Sequence, residues 1–436
     1  MTPKDFEINC LGTCKITSPV SLSTTRGDNV LNYVSDEERV LFDVYYNAKK
    51  SKQAPLTMEM AGPRQHLYFD PSKVRVAIVT CGGLCPGINN VIRSLVMSLY
   101  YRYGVRKILG IQYGYQGFIS DYKHDFVELN PAMVSNIHQF GGTILGSSRG
   151  KQDPEAIVDC LDQHGVNILF TIGGDGTLRG SLAIQQAIEK RGLKIAVAGI
   201  PKTIDNDINH IEKTFGFETS FTVASPIIRD AHNEAKGAYN GVAIVKLMGR
   251  DAGFIAANAA LSMPEVNLVL VPEIDFDLEG EKGLLAVVRK RLEEKHHCLI
   301  VVAEGAGQHL FKDQAIRKDA SGNKLHDDIG IFLREELKSY FAREDFPATV
   351  KYIDPSYIIR SAPANPSDSI FCNKLGIHAV HGALAGKAGV VVGRRNNKFV
   401  YLPIQTVISE RKEIDPEGTL WLNVIETTGQ PMSMKN

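Results

Sequence analysis

The stretch VRVAIVTCGGLCPGINNVIRSLVMSLYYRYG (74–104) decides how this chain folds. VRVAIVT (74–80) is a short β-branched run of the kind that makes a strand buried on both faces. INNVIRSLVMSLYYRYG (88–104) has the periodicity of a helix, and the glycines between them mark a tight turn. A strand, a glycine-rich turn and a helix are the unit of a parallel α/β sheet. The same alternation recurs along the chain. NILFTIG (167–173), KIAVAGI (194–200), GVAIVKL (241–247), NLVLVPE (267–273) and LIVVAEG (299–305) read as buried strands. KGLLAVVRKRLEEKHH (282–297) and GIFLREELKSYFARE (330–344) read as helices. The fold class is therefore α/β with mainly parallel sheets. No fixed-period repeat or low-complexity tract interrupts it.

Upstream, residues 1–70 are the least regular part, with a charged stretch over Ser35–Ala48 that predicts a helix. At 436 residues there is room for two or three domains. Lys plus Arg and Asp plus Glu each number 49, so the chain lacks the basic excess of a dedicated nucleic-acid binder. No apolar run reaches the ~20 residues of a membrane span, and MTPKDFEINC has no apolar signal segment. The terminal MSMKN matches neither a peroxisomal tail nor a prenylation box. Seven scattered cysteines suit a reducing compartment better than a disulfide framework. These features predict a cytoplasmic protein without membrane or nucleic-acid partners.

Ligands of open parallel sheets bind outside the carboxyl ends of the strands, so the segments after the strands carry the chemistry. In CGGLCPGINN (81–90), Gly82 and Gly83 allow close backbone approach and the next helix offers N–H groups to an anion. The GKS/T ending of a P-loop is absent. TIGGDGTLRG (171–180) repeats the device, with Asp175 able to hold a phosphate-bound Mg²⁺ and Thr177 able to donate to phosphate. An aspartate between glycines is also a common turn. PKTIDNDINH (201–210) sets Asp205 and Asp207 beside Lys202 and Thr203, supplying a base for a hydroxyl and a cation for transferring phosphoryl charge. Arg250 in KLMGRDAGFIAANAAL (246–261) can present its planar fork to phosphate oxygens. Glu304 ends a strand, where it can accept bonds from sugar hydroxyls; Lys351, Tyr357 and Arg360 of KYIDPSYIIR (351–360) can grip a phosphate. His296, His297, His378 and His381 read as structural, since no carboxylate or cysteine sits at ligand spacing.

Taken in order, GG-x-x-PG-x-N (82–89), GGTILGSSRG (141–150), GGDGT (173–177), PKTIDND (201–207), MGR (248–250), AEG (303–305) and Y-x-x-R (357–360) resemble the 6-phosphofructokinase family. The likeness runs from about Val74 to Arg395 and is greatest to the ATP-dependent branch with a long N-terminal extension, known from kinetoplastids and some bacteria. It implies two Rossmann-like domains and phosphorylation of fructose 6-phosphate by ATP in glycolysis, in an allosteric homo-oligomer, tetramer favoured. The implied division is an extension (1–70), a nucleotide-binding domain (71–210, with part of 361–386), a sugar-phosphate domain (211–360) and a segment (387–436) returning to the extension and sugar domain. By resemblance Asp205 is the proton acceptor, Asp175 the Mg²⁺-directed carboxylate and Arg250 a contact to transferring phosphate and sugar, with Thr203 and Lys202 in the catalytic set. Gly82, Gly83, Arg149, Gly150, Gly174, Asp175, Gly176 and Thr177 match the nucleotide site. Thr203, Asp205, Met248, Gly249, Arg250, Glu304, Lys351, Tyr357 and Arg360 match sugar-phosphate contacts.

Leu84 stands where many bacterial members have Asp, Lys202 where they have Gly, and Tyr357 where they have His. Lys202, Lys351 and Tyr357 look like the pyrophosphate-dependent branch, whereas that branch typically carries Asp at the position of Gly176. The donor is expected to be ATP, with pyrophosphate the alternative.

Overall fold

The computed structural model describes residues 1–45, 55–311 and 326–436. The chain divides into two compact units, each assembled from three segments. Unit 1 comprises Met1–Thr203, Ile208–Gly216 and Pro363–Arg411; unit 2 comprises Ile204–Asp207, Phe217–Ala362 and Lys412–Asn436.

Unit 1 is built on nine strands: β1 (Arg39–Leu41), β2 (Thr57–Met60), β3 (Arg75–Thr80), β4 (Lys107–Ile111), β5 (Phe126–Glu128), β6 (Ile168–Gly173), β7 (Ala196–Pro201), β12 (Val390–Arg395) and β13 (Lys398–Pro403). They lie in the order β1-β2-β13-β12-β7-β6-β3-β4-β5. The five from β12 to β4 are parallel, and the strands at either end run antiparallel. Among the described residues its longer helices are α1 (Ile88–Met97), α2 (Pro154–Gln163), α3 (Asp175–Lys190) and α9 (Pro366–Leu384). Val79, Leu169 and Val197 of the sheet pack with Val158, Leu161 and Ile188 of the helices. β6 and β7 are buried at every residue, which is why their sequences show no polar alternation.

Unit 2 holds four parallel strands, β8 (Gly241–Leu247), β9 (Leu268–Leu270), β10 (His297–Ala303) and β11 (Thr349–Ile353), in the order β9-β10-β8-β11. They are accompanied by α4 (Phe217–Lys236), α5 (Phe254–Ser262), α6 (Leu284–Lys295), α7 (Ile329–Arg343) and α8 (Ser356–Ser361). Ile244, Ile300 and Val302 pack against Leu285, Leu333 and Leu337.

The helix expected over Ser35–Ala48 does not form within the described residues: Arg39–Leu41 is strand β1, paired in register with Thr57–Met60 residues, while 46–48 lie outside them. Alternating burial of Arg39, Val40 and Leu41 suits a strand edge, and the pairing partner overrides the charged composition.

In both sheets the order of strands creates a crevice. From β3 the chain moves through α1 to β4 on one side, and from β6 through α3 to β7 on the other, so the carboxyl ends of β3 and β6 flank a switch point. In unit 2 the connection leaving β8 passes β10 to reach β9, and the one leaving β10 passes β8 to reach β11, so the two run to opposite edges of the sheet from adjacent strands.

Candidate active site

At the unit 1 switch point three loops converge from adjacent strands. Gly82 and Gly87 of the loop after β3 have φ of +84° and +105°, conformations that glycine adopts without strain. The Gly82 N–H donates to the Ser148 carbonyl at 3.0 Å, and the Ser147 hydroxyl donates to the Gly82 carbonyl at 2.6 Å, locking this loop to GSSRG (146–150). A side chain at Gly83 would come within 3.4 Å of the Arg149 guanidinium. Gly150 is also left-handed. From β7, the buried Lys202 extends its ammonium to the Gly83 carbonyl at 2.6 Å, and its own N–H donates to the Gly173 carbonyl at 2.9 Å.

Gly174 caps α3, so Asp175, Gly176 and Thr177 form that helix's first turn, whose free N–H groups favour anions. Thr177 is buried against Gly173, where an added Cβ would lie 2.2 Å from the threonine hydroxyl. Asp175 is partly exposed and accepts from Arg179 at 2.9 Å. A Cβ on Gly176 would meet no atom within 4 Å, so open space adjoins this turn. Unit 1 thus brings Gly82, Gly83, Arg149, Gly174 and Lys202 together around one glycine-lined cradle whose charge and N–H groups could hold an anion. Thr203 follows, its carbonyl held by the Thr214 hydroxyl at 2.7 Å.

Between Thr203 and Ile204 the chain passes into unit 2, so the PKTIDND motif gives its cation to one unit and both aspartates to the other. In unit 2 the loops after β8 and β10 dock backbone to backbone. Glu304 N–H donates to the Leu247 carbonyl at 2.9 Å and Gly305 N–H to the Gly249 carbonyl at 3.0 Å. The approach needs glycine, because a Cβ on Gly305 would lie 1.9 Å from the Arg250 carbonyl oxygen. This docking fixes Met248, Gly249 and Arg250 beside Glu304.

Asp205 is the electrostatic centre of unit 2. Part of its surface stays open, but Oδ1 is buried. Burial lifts its pKa to about 7, and the negative charges of Asp207 and Glu304 add to the rise. The Arg360 guanidinium and a hydrogen bond from the Arg250 N–H oppose it without cancelling it. Asp205 thus feels the charges of Asp207, Glu304 and Arg360 together and accepts the Arg250 N–H. Such a carboxylate can take a proton near neutral pH, with arginines available for phosphate charge.

Arg360 lies on α8 with Tyr357, which is 81% exposed. Lys351 sits in β11 opposite Ala243, and its ammonium forms an exposed ion pair with Glu234 of α4. His381 shares a hydrogen bond with Tyr103 Oη, 2.6 Å away, and His378 stacks on Phe399. Among the described residues no group of three or more His, Cys, Asp or Glu is placed to hold a metal, and no helix is long and apolar enough to cross a membrane.

Sequence reasoning missed Ser147, which ties the loop after β3 to the 146–150 loop, and Lys246, a charge inside the buried β8. The second had a signal, since GVAIVKL carries one lysine in an otherwise apolar run and a buried lysine requires a partner.

Residues 75–383 match the family model described as Phosphofructokinase. The chain is 48% identical over 440 residues to an ATP-dependent 6-phosphofructokinase of Borreliella burgdorferi, covering 99% of this chain and 98% of that one. It is 45% identical to the ATP-dependent 6-phosphofructokinase of Amycolatopsis methanolica, covering 98% and 95%. With that of Trypanosoma brucei brucei the identity is 45%, covering 86% and 77%. Among solved structures, a pyrophosphate-dependent phosphofructokinase of Marinobacter aquaeolei superposes with a TM-score of 0.66 at 20% identity, over 81% of this chain and 91% of that one. At that identity the likeness speaks for the fold alone.

Proposed function

The chain belongs to the phosphofructokinase family, and from that premise we propose that it is an ATP-dependent 6-phosphofructokinase. It transfers the γ-phosphoryl group of ATP to the 1-hydroxyl of D-fructose 6-phosphate, giving fructose 1,6-bisphosphate and ADP. The observation that carries the reading is Asp205, a partly open carboxyl that has one buried oxygen and accepts the Arg250 N–H, its pKa raised to about 7 by burial. A base of that strength suits proton abstraction from a hydroxyl at neutral pH.

The sugar oxygen forms the new bond to the γ-phosphorus as the bond from that phosphorus to the β-bridging oxygen breaks. The hydroxyl proton goes to Asp205. Lys202 and Thr203 of unit 1 and Arg250 of unit 2 complete the catalytic set, the two cations supplying positive charge to phosphoryl oxygens. Such a transfer depends mainly on positioning and charge stabilisation. Met248, Gly249, Glu304, Lys351, Tyr357 and Arg360 hold the sugar phosphate, the exposed Lys351 exchanging its surface ion pair with Glu234 for the substrate. Gly82, Gly83, Arg149, Gly150 and the Gly174–Thr177 turn hold the nucleotide.

Mg²⁺ belongs to the same reading, entering with ATP as the substrate complex. The donor set fits: a single carboxylate, Asp175, stands at the first turn of α3, and Mg²⁺ typically uses one or two carboxylates, phosphates and water.

Pyrophosphate use is the second reading, favoured by Lys202. That ammonium can serve either donor, whereas the open space at Gly176 is needed only by the longer one. A homotetramer in the cytoplasm completes the proposal. Turnover of fructose 6-phosphate with ATP, then with pyrophosphate at matched Mg²⁺, tests it: ATP supports the reaction and pyrophosphate gives a negligible rate. Faster turnover on pyrophosphate overturns ATP as donor, and no turnover with either overturns the activity.

A further inference from the structure

Lys246 is the only charged residue of β8, and its side chain is 11% exposed. It lies two residues before Met248, on the same face of the strand as Val242 and Ile244, which pack against α7. Its ammonium meets two carboxylates at once. One is Asp328, whose Oδ1 caps α7 by accepting the Ile331 N–H at 3.0 Å and whose Oδ2 binds the lysine. The other is Asp354, 3.0 Å away, in the turn between β11 and α8. The Tyr352 hydroxyl donates to Asp328 Oδ1 at 2.9 Å and completes the cluster.

Asp354 is the group that starts α8. Its Oδ1 accepts from the Ser356 N–H at 3.0 Å and from the Ser356 hydroxyl. α8 has six residues, too few to be a stable helix alone, so its direction is set by what anchors its first turn and by the buried Ile359. Tyr357 and Arg360 ride on it. Burial would raise both carboxyls, yet the hydrogen bonds and the Lys246 charge hold each below its ordinary value. Both are therefore ionised around a single cation.

From this geometry we propose that Lys246 is a positioning residue for the sugar-phosphate site. One ammonium ties the strand that delivers Arg250 to the turn that launches Arg360, and so sets the spacing of the two guanidiniums. The inference rests on the reading of Arg360 as a sugar-phosphate contact. Without the lysine, two carboxylates face each other in a half-buried site, and their repulsion moves the Asp354 turn and α8 with it. Misplacement of about 1 Å at a reacting site can cost ~10²-fold in rate.

The test compares Lys246→Met, Lys246→Arg, Asp354→Asn and Arg360→Ala in the full chain. Thermal melting is recorded for each, and KM is measured separately for fructose 6-phosphate and ATP. Arg360→Ala raises the sugar KM about tenfold or more, the loss expected for one charge-assisted contact. Lys246→Met does the same or more while the ATP KM stays within about twofold, and Lys246→Arg recovers most of the loss because it keeps the charge. Should Lys246→Met fail to fold, Asp354→Asn decides: it keeps an acceptor for Ser356, loses its charge toward Lys246, and raises the sugar KM several-fold. An unchanged sugar KM in a folded Lys246→Met or Asp354→Asn variant, or equal worsening of both KM values, overturns the inference. An unaffected sugar KM in Arg360→Ala overturns instead the underlying reading of the sugar site.

Discussion

Replacing Asp205 by Asn should lower activity and raise stability, and both effects follow from the same carboxyl. Its pKa rises from 3.8 to about 7 because burial and the Asp207 and Glu304 charges disfavour the anion. Below the unfolded value, folded and unfolded chains both hold the proton and nothing is lost. As pH rises toward 7 the unfolded chain releases its proton first, so the folded state loses stability until the folded group also ionises. A shift of about three pKa units corresponds to ~4 kcal/mol in full, and solvent at the open side of the residue reduces this to ~2 kcal/mol. Asparagine keeps the shape and removes that cost. Asp205→Asn should therefore melt a few degrees higher than the wild type at pH 8, with no advantage at pH 4. Turnover moves oppositely, falling ~10²–10⁴-fold as a positioned base is lost. For the wild type, kcat/KM for fructose 6-phosphate should fall about tenfold per pH unit below ~7 and level off above it. Melting curves and initial rates across this range suffice. A variant keeping more than about a tenth of wild-type turnover, or a wild-type profile flat from pH ~5.5 to ~8, would refute the assignment of the base.

Other perturbations read different parts of the molecule. Gly176→Asp introduces a carboxylate into the open space beside the first turn of α3; like charges ~4 Å apart repel by about 4 kcal/mol before relaxation, so most ATP-dependent turnover should be lost, and a variant with normal KM and kcat for ATP would exclude that turn from the nucleotide path. Gly305→Ala forces a methyl group to within 1.9 Å of the Arg250 carbonyl oxygen and must move the MGR loop; activity should drop ~10²-fold, and wild-type rates would show that the loop tolerates displacement. Burial depresses His378 and His381 to about 4 and about 3, so the unfolded chain binds protons there that the folded chain does not. Stability present above pH ~6.5 should be lost on acidification, by ~2 kcal/mol per histidine at pH 5, and His378→Phe, which can still stack on Phe399, should flatten the fall in melting temperature between pH 6.5 and 5.

The parallel strands were legible because burial on both faces leaves a continuous Val/Ile run such as ILFTIG, and the glycine-rich loops because phosphate binding and tight turns need the same residues. What stayed hidden depended on partners distant in sequence. β1 declares itself only through β2 and β13, so a charged stretch read locally as helix. The β12–β13 hairpin did carry a signal, since Asn396 and Asn397 at its tip both have positive φ, as two-residue hairpin turns require. At the site, Asp205, Asp175 and Arg250 could be picked by chemistry, but the pKa of Asp205 depends on Glu304 and Arg360, which only the folded chain brings near. Lys351 was chosen for its charge, and its surface pairing with Glu234, 117 residues earlier, was not legible in the sequence.

The strand order also sets a timetable for synthesis. Met60 of β2 pairs with Val400 of β13, about 340 residues later. At ~5–20 residues per second, β1 and β2 wait roughly 20–70 s after synthesis for the neighbour that joins them to the sheet. During that interval β1 and β2 can pair only with each other, and β2 keeps a free edge open to another nascent chain. Premature termination anywhere before the final hairpin leaves that edge uncovered, so truncated chains should go to chaperones or aggregate, and the closing strands act as the quality gate for the whole unit.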